Sequence, residues 1–169
     1  MRVAVPLNAN YLDDRYGKYA IGADLHAGYP VTSFPISISN VPDDTVTFAL
    51  WLVDYDAIPV SGFTWIHWNV ADIPATVTEI PEDASRSGIV PMVQGNNSNA
   101  GSLVHETDPA ITQHYVGPQP PNGDHSYTLT VFALDTKLNL KPGFWLNEAR
   151  HAMAGHILAQ TSVELRSRA

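Results

Sequence analysis

From Thr45 to Asp54 the chain reads Thr-Val-Thr-Phe-Ala-Leu-Trp-Leu-Val-Asp, apolar on both alternating faces. A strand patterned in this way is covered on both sides, so the run predicts the centre of a sandwich. In a second run, Phe63 to Val70, alternation puts Phe63, Trp65, His67 and Asn69 on one face and Thr64, Ile66, Trp68 and Val70 on the other. In a third, Tyr127 to Leu134, residues Tyr127, Leu129, Val131 and Ala133 face one way, and His125 joins them if the strand extends back to it. The tail Ser162–Arg166 alternates like a final edge strand. Helical spacing occurs once: Leu146, Ala149, Met153 and Ile157 recur at intervals of three and four residues and would line one face, after Pro142 and Gly143 stop the preceding segment.

Thirteen prolines and eleven glycines divide these runs, the punctuation of a β-rich domain with many turns. Pro81 to Gln119, rich in Gly, Asn, Ser and Pro, reads as a long loop, and loops of that length in a compact domain are usually functional or mobile. No repeat or linker interrupts the 169 residues, so one domain spanning residues 1–169 is expected.

Composition narrows the partners. Nine Lys plus Arg against seventeen Asp plus Glu give a formal charge of −8, a field that repels nucleic acid and acidic membrane surfaces. A local phosphate site survives this, because directed donors outweigh a distant, screened charge. The absence of cysteine removes disulfides, thiolate nucleophiles and cysteine zinc sites. Residues 1–8 lack the apolar core of a signal peptide, and no stretch approaches the ~20 apolar residues of a membrane span. A cytoplasmic location without a transmembrane segment is the expectation.

Three places carry candidate chemistry. Asp54 and Asp56, two apart at a strand end, would face the same way; neighbouring carboxylates repel unless a cation, metal or proton donor lies between them, although a solvated turn has the same composition. His67 lies in Trp65-Ile66-His67-Trp68, where an imidazole must find a hydrogen-bond partner; it is either a satisfied structural histidine or one oriented by a carboxylate with its other nitrogen free. In Tyr115-Val116-Gly117-Pro118-Gln119-Pro120-Pro121-Asn122-Gly123-Asp124-His125-Ser126-Tyr127, prolines stiffen a loop ahead of a strand from which His125 and Tyr127 project together. A pocket wall and a plain stiffened hairpin both fit that segment. His151 and His156 are five apart, about 140° around a helix, and do not form a metal-binding pair. His26, His105 and His114 have no motif spacing, and Met153 reads as core packing.

Asp54-Tyr55-Asp56-Ala57, Trp65-Ile66-His67-Trp68 with Asn69-Val70 and Ile73-Pro74, and Gly117 to Tyr127 with Phe132-Ala133-Leu134-Asp135 resemble, in order and spacing, the two signature blocks of the phosphatidylethanolamine-binding protein family, in its bacterial Raf kinase inhibitor-like branch. The resemblance runs from about Ser33 to Glu164. It implies a mainly β fold, an antiparallel β-sandwich with a few peripheral short helices, and a small surface cavity for phosphate, acetate or a phosphorylated head group. Carried over position by position, the ligand-binding residues would be Asp54, Asp56, His67, Pro120, His125 and Tyr127, with Tyr55, Trp65, Gly117 and Pro118 as candidate walls. The histidines would contact the anion and the acids would orient them, as a carboxylate-held imidazole N–H is a charge-assisted donor. The chain departs from the family pattern at Tyr55 and Ile58, where proline is usual, at Gln119, often cysteine in bacterial relatives, and at Ser126, often arginine.

The function expected is therefore non-enzymatic binding of a small anion or phosphorylated small molecule, with a possible regulatory role. No catalytic residue, metal or cofactor is assigned, and a homodimer is compatible with the chain. One alternative is a metal-dependent or acid–base hydrolase built on the same Asp/His cluster. Another is a kinase or protease inhibitor acting through protein contacts, for which the pocket residues supply no argument.

Overall fold

The computed structural model describes residues 1–169. Ten strands, β1 (Arg2–Ala4), β2 (Leu25–His26), β3 (Tyr29–Pro30), β4 (Ile36–Ser39), β5 (Thr47–Asp54), β6 (Trp65–Pro74), β7 (Glu79–Ile80), β8 (Val93–Gln94), β9 (His125–Leu134) and β10 (Ile157–Ser167), make it mainly β. Four short helices lie among them: α1 (Ile58–Ser61), α2 (Ala84–Ser87), α3 (Pro109–Thr112) and α4 (Leu146–Ala152). A five-stranded antiparallel sheet, ordered β10-β9-β5-β6-β8, faces a three-stranded one, β1-β4-β7, and β2-β3 forms a ribbon. No helix is long and apolar enough to cross a membrane.

The two-sided apolar pattern of β5 has its expected outcome: the strand is central, hydrogen-bonded to β9 along one edge and to β6 along the other. Phe48, Leu50 and Leu52 join Ile36, Ile38 and Ile80 of the facing sheet in the main core, while Ala49 packs with Phe132, Leu134 and Met153 on the opposite side. Phe34 stands edge-on to both Trp68 and Tyr115, at 6.5 and 5.6 Å between centroids, an arrangement that suits the ring quadrupoles.

Two corrections to the sequence pattern matter. Strict alternation separates His67 from Trp68, but Leu52 pairs with Trp68 and Val53 with Ile66, leaving His67 as the extra residue of a β-bulge. The bulge re-aims it: Trp68 lies in the main core, and the His67 ring stands 5.0 Å from that of Tyr127, another core-facing residue. The helix, in turn, ends at Ala152 and Ile157 opens β10. Gly155, at φ 83°, provides the left-handed turn that separates them, so Ile157 stands 43% exposed instead of completing a helical stripe.

The segment Pro81–Gln119 carries α2, β8, α3 and a 3-10 turn at Ser98–Ala100, and it buries Asn97, Asn99, Ile111 and Tyr115. Asn97 organises it, its amide donating to the carbonyls of Ile111 and His114 at 2.6 and 2.8 Å. Beyond it the chain is fastened to its neighbours: Val116 N–H donates to the His67 carbonyl at 3.1 Å and Gly117 N–H to that of Pro30 at 2.8 Å. A Cβ on Gly117 would lie 2.0 Å from the Tyr16 carbonyl oxygen, so only glycine allows this approach.

Candidate functional site

Register assembles the site at one end of the five-stranded sheet. Asp54, the last residue of β5, lies opposite Tyr127 of β9 on one side and Trp65 of β6 on the other. His125 lies two residues before Tyr127 and shares its face, and the bulge adds His67. Together with Pro120 and Gly117 they line a cavity of about 290 Å³. Tyr29, Val60, Asn99 and Gln119 also line it. Tyr29 and Asn99 carried no local signal, since both reach the cavity through tertiary packing, whereas Gln119 belongs to the proline-rich motif.

The expected anchoring of the imidazoles is only half realised. Asp54 Oδ2 lies 2.7 Å from His125 Nδ1, both side chains about 5% exposed, and Asp54 Oδ1 accepts the Ala57 N–H at 3.1 Å. His67 is held instead by a backbone group, its Nδ1–H donating to the Val116 carbonyl at 2.7 Å. Its Nε2 has no protein partner. Burial pushes the His67 pKa down, outweighing the opposing effects of the Val116 carbonyl and the Asp54 charge. The ring is thus neutral, with a lone pair on Nε2. Burial, and then the negative charge of Asp54, hold the Tyr127 hydroxyl far above its ordinary pKa, so it remains a phenol.

Three expected residues lie elsewhere. Asp56 is exposed and accepts the Ser126 backbone N–H at 2.9 Å, because the turn after β5 carries it outside the cavity rim. Tyr55, one residue beyond Asp54, points to the opposite face and borders a separate groove with Trp51 and Thr128. Pro118 is buried behind the cavity wall, where its carbonyl approaches Gly17. Asp56 therefore orients a strand and neither histidine.

Two of the other five histidines form separate pairs, His26 with Asp108 at 2.7 Å and His156 with Asp135 at 2.8 Å. No group of three or more His, Asp or Glu side chains is disposed to hold a metal ion.

A profile of the phosphatidylethanolamine-binding protein family matches residues 4–168. The chain belongs to that family. YxkA of Bacillus subtilis is 50% identical over 99% of both chains. A homologue of the family from Chlamydia trachomatis has a crystal structure that superposes with a TM-score of 0.75 at 27% identity, covering 94% of this chain and 90% of that one. Escherichia coli YbcL shares the fold, with a TM-score of 0.77 at 24% identity over 99% of this chain and 98% of its own.

Within this family member, the departure at Ser126 has a defined place. Alternation puts its side chain on the outer face of β9, where Oγ donates to Glu164 at 2.8 Å. A side chain at this position thus starts beside Glu164 and outside the cavity lining. No lysine or arginine lines the cavity itself, so its polar character comes from Asp54, the imidazoles, Tyr127 and amide side chains.

Proposed function

We propose that the cavity binds a small oxyanion, a phosphate monoester or a carboxylate, without turning it over. One observation carries this reading: each imidazole is fastened through Nδ1 to a protein acceptor, Asp54 or the Val116 carbonyl, which leaves Nε2 for a ligand, unpartnered on His67 and held only by the Asn122 side chain on His125. Membership of a family named for binding phosphatidylethanolamine supports ligand binding in general. The anion is inferred from the paired imidazoles beside an apolar wall formed by Trp65, Val60 and Pro120.

The neutral His67 makes the binding proton-linked. An anion can engage the Nε2 lone pair only by bringing a proton on its own oxygen or by drawing one onto the ring. Affinity for a weakly basic probe such as sulfate should therefore strengthen as pH falls. The expected result is thermal stabilisation by millimolar sulfate, phosphate or phosphoethanolamine, lost in His67→Ala and in His125→Ala. Wild-type protein indifferent to all three would remove the proposal.

The Asp54–His125 pair also has the geometry of an acid–base couple, the feature that favours a hydrolase. The cavity lining contains no serine, threonine or cysteine to act as nucleophile beside it. Binding is accordingly the preferred function.

A further inference from the structure

The two imidazoles present different faces to the cavity. His67 Nε2 lacks a protein partner, whereas His125 Nε2 lies 2.9 Å from Oδ1 of Asn122. With Nδ1 already on Asp54, both ring nitrogens of His125 are occupied by side-chain oxygens. An anion cannot reach this ring without displacing Asn122. As placed, the amide oxygen accepts from Nε2–H, and an anion's oxygen can accept the same hydrogen bond in its stead.

Asn122 is built to move. It is exposed, and its side chain makes no other hydrogen bond. The next residue, Gly123, has φ 152°, and nothing lies within 4 Å of where a Cβ would stand. The loop is pinned on both sides of this point. Lys18 Nζ donates to the Pro120 carbonyl at 2.9 Å, and Asp124 accepts from the Tyr11 hydroxyl at 2.8 Å and the Ala169 N–H at 3.1 Å. A side-chain rotation of Asn122 therefore suffices to uncover His125 while the loop stays in place.

We infer that Asn122 is a gate, an internal stand-in for the ligand that caps His125 until a charged oxygen displaces it. This rests on the anion-binding reading above. A charged acceptor wins the exchange because a charge-assisted hydrogen bond is roughly twice as strong as a neutral one. A neutral carbonyl, equal in strength to the amide, does not. The gate thus gives the cavity a preference for anions that it lacks from lysine or arginine.

The test has a ligand-free arm and a binding arm. In the free protein, Asn122→Ala should shift the His125 ring 15N resonances and speed exchange of its Nε2–H. Resonances identical to wild type would overturn the gate. In sulfate titrations, Asn122→Ala should bind about fivefold more tightly, the factor one ordinary net hydrogen bond is worth. Asn122→Asp should bind at least tenfold more weakly, because its tethered carboxylate keeps the ring occupied. Acetamide should leave wild-type His125 resonances unmoved. Equal or weaker sulfate binding by Asn122→Ala, with wild type binding normally, overturns the gate and leaves the anion reading intact. If Asn122→Ala frees His125 yet neither protein binds sulfate or phosphate, the capping contact stands and both the anion reading and the gate's function fall.

Discussion

The His67 and His125 ends of the cavity contain the same side chain a few ångströms from one phenol ring, yet their surroundings give them different chemistry. His67 enters through a bulge, is held by a backbone carbonyl and is kept neutral by burial. His125 stands on a regular strand, paired with a buried carboxylate and capped by an exposed amide. The comparison shows that residue type does not assign the role. The surroundings do: burial keeps His67 neutral with Nε2 unpartnered, whereas His125 is held between a carboxylate on Nδ1 and an amide on Nε2.

The comparison breaks most severely at Asp54. Asp54→Ala removes the acceptor from buried His125 and from Ala57 N–H together. It should cost about 3 kcal/mol in urea unfolding and abolish sulfate binding. At the other end, His67→Ala leaves the Val116 carbonyl without its donor. A loss of about 2 kcal/mol is expected, with sulfate binding abolished in calorimetry while the Asp54–His125 pair remains visible by NMR.

The pH dependence separates the two ends further. Because the folded His67 pKa lies below its unfolded value, the unfolded chain takes up the proton first. The His67 contribution to stability is fully present above about pH 6.5 and is lost as pH falls through the folded pKa. His67→Phe should flatten that part of the stability–pH curve measured by urea denaturation. Sulfate affinity moves oppositely, strengthening over the same interval, because bound anion favours the protonated ring. The smallest effect is expected at Asp56→Asn, which touches neither ring: sulfate Kd should change less than twofold, whereas a tenfold loss would restore Asp56 to the binding site.

Local pattern reached the groups that depend on strand period alone. The apolar run ending at Asp54 placed it at the end of a central strand, and a period of two put His125 beside Tyr127. The family's signature blocks supplied His67 and Pro120 as cavity residues. The same period failed at His67, because a bulge belongs to a pair of strands and the partner of β6 cannot be read from β6. Helical spacing failed after Ala152: the pattern continued to Ile157, but the chain turned at Gly155 to pair with β9.

By itself, the sequence determined the sandwich, its central strand ending at Asp54 and the shared face of His125 and Tyr127, because side-chain alternation and turn chemistry are properties of a few neighbouring residues; His67 and Pro120 came from the family resemblance. Only the tertiary structure decided that Asp54 pairs with His125 and not with His67, that a carbonyl 49 residues away holds His67, that Asp56 and Tyr55 leave the cavity, and that Asn122 caps the remaining imidazole nitrogen. Those are choices among competing partners. Such choices are set by distance and burial across strands that meet only when the chain is folded.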